Sequence, residues 1–163
     1  MRLIEQIAAL LASVVAKERA GQYSEAKADL EERARETIGM DLRDLRRLSP
    51  EAVSQLLESS GGLRYGRAVI VAELLLHDAA ISEATDQAGD ALLSYFHAFC
   101  LLADTVSTLT EEDQTMYRPK LDALVMRLRS LREHPYIEAK LTAYETRSAT
   151  LPKRKADSSG EKG

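Results

Sequence analysis

Two stretches of this sequence, Tyr65–Ile81 and Gly89–Leu109, are apolar on almost every side when wound into helices. A helix of that kind cannot lie at a surface with one face in water; other elements must wrap it on several sides. The turn signals at 86–89 separate the two, so they are expected to pair as an antiparallel core hairpin, with the rest of the chain arranged around it. The strand alternative needs alternating runs of Thr, Val and aromatic residues. Such runs are missing, and there is no Trp and only two Phe. The expected fold class is all-α, built from antiparallel helical hairpins, with about six to eight helices in all.

The flanking segments read as the cover. Leu3 to Ala20 carries a wide apolar face through Leu3, Ile7, Leu10 and Val14. Gly21-Gln22 allows only a tight turn, so a second helix from Tyr23 to Ile38 must run back beside the first, ending at a left-handed Gly39. Asp41 is placed to cap a short segment through Leu42, Leu45 and Leu48. Ser49-Pro50-Glu51 opens another, to about Glu58. Thr110-Glu111-Glu112-Asp113 starts a helix bearing Tyr117, Leu121, Leu124, Leu128 and Leu131, His134-Pro135 breaks it, and a last short helix runs from Tyr136 to about Arg147. Apolar periodicity then ceases. One helical domain over residues 1–148 is expected, followed by a disordered basic and polar tail over 149–163.

Charge is unevenly spread. The chain of 163 residues has a formal charge of -4. Residues 1–117 carry 11 Lys/Arg against 20 Asp/Glu, a net of -9, whereas residues 118–155 carry 10 against 4, a net of +6. The single cysteine, Cys100, excludes an intramolecular disulfide and suits a reducing compartment, so a cytoplasmic location is expected. The apolar run Ile7–Ala16 is interrupted upstream by Glu5-Gln6 and continues as a helix into Lys17-Glu18-Arg19, which argues against a leader. It is also shorter than the roughly 20 residues that span a bilayer, so no membrane association is expected.

The segment Ala20-Gly21-Gln22-Tyr23-Ser24-Glu25-Ala26, with Leu30 and Ala34 after it, resembles the inter-helix turn and second helix of a tetratricopeptide repeat. Asp90-Ala91, with Tyr95 and Ala98, resembles a second, degenerate copy. The order of features over residues 1 to about 133 is similar to that of an uncharacterised bacterial family, a domain of unknown function with tetratricopeptide-like helices. The resemblance implies a tetratricopeptide-like right-handed helical array or an irregular bundle. It assigns packing roles to Tyr23, Ala26, Leu30, Ala91, Tyr95 and Ala98, and it supplies no catalytic residues. Repeat folds of this kind bind partners on a concave surface.

Candidate chemistry is sparse. Glu73 and His77 share one helix face, as do His97 and Cys100, and the two helices are expected to touch, so the four form a candidate zinc set. The plainer reading makes Cys100 a small core residue and His77, beside Asp78, a hydrogen-bonded edge residue. Gly61-Gly62-Leu63-Arg64-Tyr65-Gly66-Arg67 sets glycines and arginines near a helix start, where an anion can bind, but it lacks the spacing of a phosphate loop. Arg118, Lys120, Arg127, Arg129 and Arg132 make a basic stripe suited to phosphate contact. An acidic body, a pI near 5.5 and no interleaved aromatics argue against nucleic acid.

The sequence is therefore read as a non-enzymatic interaction or scaffold module without cofactor, holding a protein or peptide partner. An enzyme or small-molecule carrier with a pocket in the central hairpin is one alternative; binding of an anionic polymer through the basic C-terminal portion is the other. The width of the apolar faces relative to the available cover leads to the expectation of a homodimer.

Overall fold

The computed structural model of the chain describes residues 3–59, 64–129 and 135–150. Among these residues the chain is all-α, with no strand. The helices are α1 Leu3–Arg19, α2 Tyr23–Ile38, α3 Leu42–Arg47, α4 Pro50–Ser59, α5 Arg64–Ala84, α6 Ala88–Thr105, α7 Glu111–Leu128 and α8 Pro135–Thr150. A 3-10 turn, Val106–Thr108, follows α6.

The turns are where local chemistry dictates them. Gly39 sits at φ 75° and its N–H bonds the Arg35 carbonyl, closing α2 in a conformation that glycine adopts without penalty. Between α5 and α6 the left-handed position belongs to Asp86, at φ 58°, and Gln87 N–H returns to the Ser82 carbonyl at 2.8 Å. Ser49 and Thr110 cap as expected, their hydroxyls accepting from Ala52 and Asp113 N–H.

Three boundaries differ from expectation for identifiable reasons. α6 stops at Thr105 rather than Leu109. There the Thr105 hydroxyl donates to the Leu101 carbonyl and Thr108 to the Thr105 carbonyl, so the chain tightens into a 3-10 turn. Asp41 does not cap α3, because its carboxylate is taken by Arg35 at 2.7 Å. The Leu42 N–H is satisfied instead by Glu31 of α2, at 2.9 Å. Finally, α8 continues to Thr150, two residues beyond the expected end of the domain.

The hairpin of α5 and α6 is the centre of the molecule, with the most extensive helix–helix contact. α2 packs along α5, α1 covers α2 and touches α5, and α7 packs along α6. α3, α4 and α8 close the remaining sides of the hairpin. The cover that α6 demands thus comes from the chain itself. The stretch Ala88–Thr108 is apolar and long enough to cross a membrane by length and composition, yet 61% of its 18-residue apolar window is buried inside the bundle. Among the described residues the large apolar side chains left exposed are Leu93, Met116 and Met126.

Ala26, Ala91 and Ala98 are all buried, on two helices that pack against neighbours on more than one side, so a larger side chain at any of them has to displace a packed crossing. Leucine at any of them forces the crossing apart. Each substitution is expected to destabilise the fold by about 1–3 kcal/mol, read as a lower urea midpoint with unchanged slope. Unchanged midpoints for all three would mean that these crossings are not close-packed.

Candidate functional site

The four candidate metal ligands face four different surroundings. Glu73, nearly buried on α5, accepts from Lys120 Nζ at 2.5 Å. His77, one turn on, pairs its Nδ1 with Glu18 of α1 at 2.9 Å. His97 is buried on α6, with Nε2 3.2 Å from the Arg46 carbonyl, and burial lowers its pKa. Cys100 is buried elsewhere on α6, its thiol pushed up to about 12 by burial, which leaves it protonated and unreactive. Among the described residues no three of His, Cys, Asp and Glu gather as a metal site would require.

The described members of the basic stripe stay partly exposed and are paired within the chain, three with acids and one with an amide. Lys120 holds Glu73, Arg127 holds Glu83 and lies over the Tyr95 ring at 4.7 Å, Arg129 holds Glu145 at 3.2 Å, and Arg118 donates to Gln114. Arg132 lies outside the described residues, as do residues 60–63 of the glycine-rich loop and residues 151–163 of the tail. Two of these pairs, Lys120 with Glu73 and Arg127 with Glu83, join α7 to the acidic part of the chain, whereas Arg129 and Glu145 pair within the basic C-terminal portion. Tyr95, bonded through its hydroxyl to Glu83, has its pKa pushed up to about 12 by burial and that carboxylate.

These ion pairs border an open groove. α1 and α7 stand on either side of α5, and between them lies a cleft of about 330 Å³. Ile7, Ala8, Leu11, Ala12 and Val15 line it from α1, Met116, Tyr117 and Lys120 from α7, and Glu73 and His77 from α5. The wall of α1 exists because that helix buries Ile7, Leu11 and Val14 and leaves Ala8, Ala12 and part of Val15 open to the cleft. Tyr117 is buried at the base beside Glu73, and burial with that carboxylate raises its pKa. The apolar walls run from Ile7 to Val15, about 12 Å at 1.5 Å per residue.

A second polar arrangement is not apparent from spacing. Asp78, read in the sequence only as the neighbour of His77, is completely buried and pairs with Arg46 of α3; Ser94 of α6 donates to the same oxygen, Oδ2, at 2.6 Å. His97 bonds the Arg46 backbone, so α3, α5 and α6 are tied together by one buried cluster. Asp78 Oδ1 and Ser82 Oγ are buried without a partner among the described residues. The signal available in sequence is the acid itself, set inside a helix apolar on all sides, since a charge there requires a buried partner.

Ala72 and Ala79 of α5 and Ala91 and Ala98 of α6 are all buried. Comparison of the chain with protein-family models, with curated proteins and with solved structures finds no match.

Proposed function

We propose that this chain is a non-enzymatic interaction module that holds an amphipathic helix of a partner protein in the groove between α1 and α7. The observation that carries the reading is the character of the groove: apolar walls contributed by two helices, open to solvent, with its few polar groups already paired. Helical walls have their main-chain donors and acceptors bonded internally, so they offer nothing to the backbone of an extended peptide. An occupant buried there must satisfy its own backbone, and a helix does so while presenting apolar residues at i, i+3, i+4 and i+7. About 12 Å of wall accommodates two turns of such a helix. A concave helical surface is also what resemblance to tetratricopeptide repeats implies.

A second copy of this chain is the other source of such a helix. The test is selection of random peptides displayed against the full chain, with Ala12→Glu as the counter-target. Ala12 is exposed on the groove wall, so the new carboxylate enters the groove without disturbing the core. Enriched peptides are expected to share helical apolar spacing, lack internal proline and fail to bind the variant. Enrichment of proline-rich or extended peptides, or equal capture by both targets, contradicts the reading. Sedimentation across a tenfold concentration range separates the two sources, since a mass rising from 18.0 kDa assigns the groove to a second copy.

A further inference from the structure

A second cleft, of about 640 Å³, opens on another side of the molecule between α2, α3 and the start of α6. It is lined by Lys27, Arg43, Arg46 and Arg47 together with Glu31, Asp41, Asp90, Gln87 and Leu93. The charges balance poorly once their existing partners are counted. Glu31 accepts the Leu42 N–H, Asp41 holds Arg35, and Asp90 lies 3.9 Å from Arg46. Arg46 is itself committed to the buried Asp78. Arg43 and Arg47 have no ion pair or side-chain hydrogen bond among the described residues, and Lys27 reaches only the neutral Gln87, at 3.5 Å. Lys27, Arg43 and Arg47 therefore border the concavity without a contacting carboxylate, and against the charges of Glu31 and Asp90 they leave it a surplus of positive charge.

Their placement is fixed by α3. Leu42 and Leu45 are fully buried and Arg46 is locked inward, which leaves Arg43 and Arg47, four apart, on the side that faces the cleft. Like charges at that spacing destabilise a helix unless an anion lies between them. Guanidinium groups bind phosphate oxygens in pairs, and a concave setting concentrates their field. The volume falls within the range of small-molecule sites, about 300–1,000 Å³. Asp90, half-exposed, and the Gln87 amide offer hydrogen-bond acceptors, and Leu93, 46% exposed, offers an apolar surface for a ring.

We propose that this cleft binds a small phosphorylated molecule bearing a hydroxylated ring, of nucleotide or sugar-phosphate size, with the phosphate on Arg43, Arg47 and Lys27 and the hydroxyls on Asp90. The site is separate from the groove and does not depend on its occupant. The test is calorimetric titration of the full chain with a nucleoside monophosphate, a hexose phosphate and inorganic phosphate. It is repeated with Arg43→Gln/Arg47→Gln and with Arg118→Gln as a control on α7. One of the two organic phosphates is expected to bind with a dissociation constant below about 1 mM, weakening as salt rises. Whichever binds identifies the source of the phosphate. The double variant should bind at least about tenfold more weakly, or 1.4 kcal/mol, at an unchanged melting temperature, while the control binds normally. The proposal is overturned if neither organic phosphate binds, if inorganic phosphate binds as tightly as both, or if the double variant retains full affinity.

Discussion

Asp78→Ala is expected to lower the unfolding free energy by about 3–5 kcal/mol, the largest effect of any single exchange in the buried polar cluster. The carboxylate is fully buried on α5 and is the partner of the Arg46 guanidinium, itself nearly buried. Its removal leaves a positive charge in the core with only a distant contact to Asp90, at 3.9 Å, and strands the Ser94 hydroxyl. Removing both charges should behave differently. Arg46→Met with Asp78→Leu eliminates the desolvation cost of both ions, including that of the unpartnered Asp78 Oδ1. The double variant is therefore expected to be as stable as the parent, or more stable by about 1–4 kcal/mol. Urea unfolding of the parent, the single and the double variant checks both statements. A single variant within about 0.5 kcal/mol of the parent would show that the pair is not buried as described.

Leu141→Ala is expected to cost about 2–5 kcal/mol, because Leu141 is fully buried although it lies on the last helix. α8 leans on α6 and α7, with Ile137 beside Leu141 and the Tyr144 ring meeting Phe99 edge-on at 5.3 Å. Part of the surface that prompted expectation of a homodimer is thus covered by the chain's own return onto α6. A loss below about 1 kcal/mol in thermal or urea unfolding would mean that α8 is not docked and that this side of α6 needs another cover. The neighbouring Ile137→Ala, at a site 9% exposed, should cost less than Leu141→Ala.

The sequence reveals the fold more readily than the sites, for physical reasons. Helices α1, α2, α5 and α7 are legible because their apolar spacing, their caps and the glycines at 21 and 39 agree with one another. The end of α6 is not, because two threonine hydroxyls compete with the helix for backbone carbonyls, a local contest that apolar periodicity does not register. Glu73, His77, His97 and Cys100 share helix faces in pairs, yet the partners of Glu73, His77 and His97 come from α7, α1 and α3, elements far away in the chain. The apolar width of α1 is visible in the sequence. That its uncovered side faces α7 across α5 depends on the order in which the helices pack, which spacing along one helix does not encode.

The most direct measurement of the groove's role uses the inertness of Cys100, which lets an introduced thiol be labelled selectively. An environment-sensitive fluorophore attached at Met116→Cys, on the groove wall, is titrated with a two-turn amphipathic helical peptide and with the same peptide carrying a central proline. A label at Met126→Cys, 64% exposed on the same helix and outside the groove, serves as reference. The account predicts a saturable blue shift at position 116 with the helical peptide, at least about tenfold weaker with the proline peptide, and none at position 126. Equal responses to the two peptides, or a response at 126 and none at 116, would contradict it.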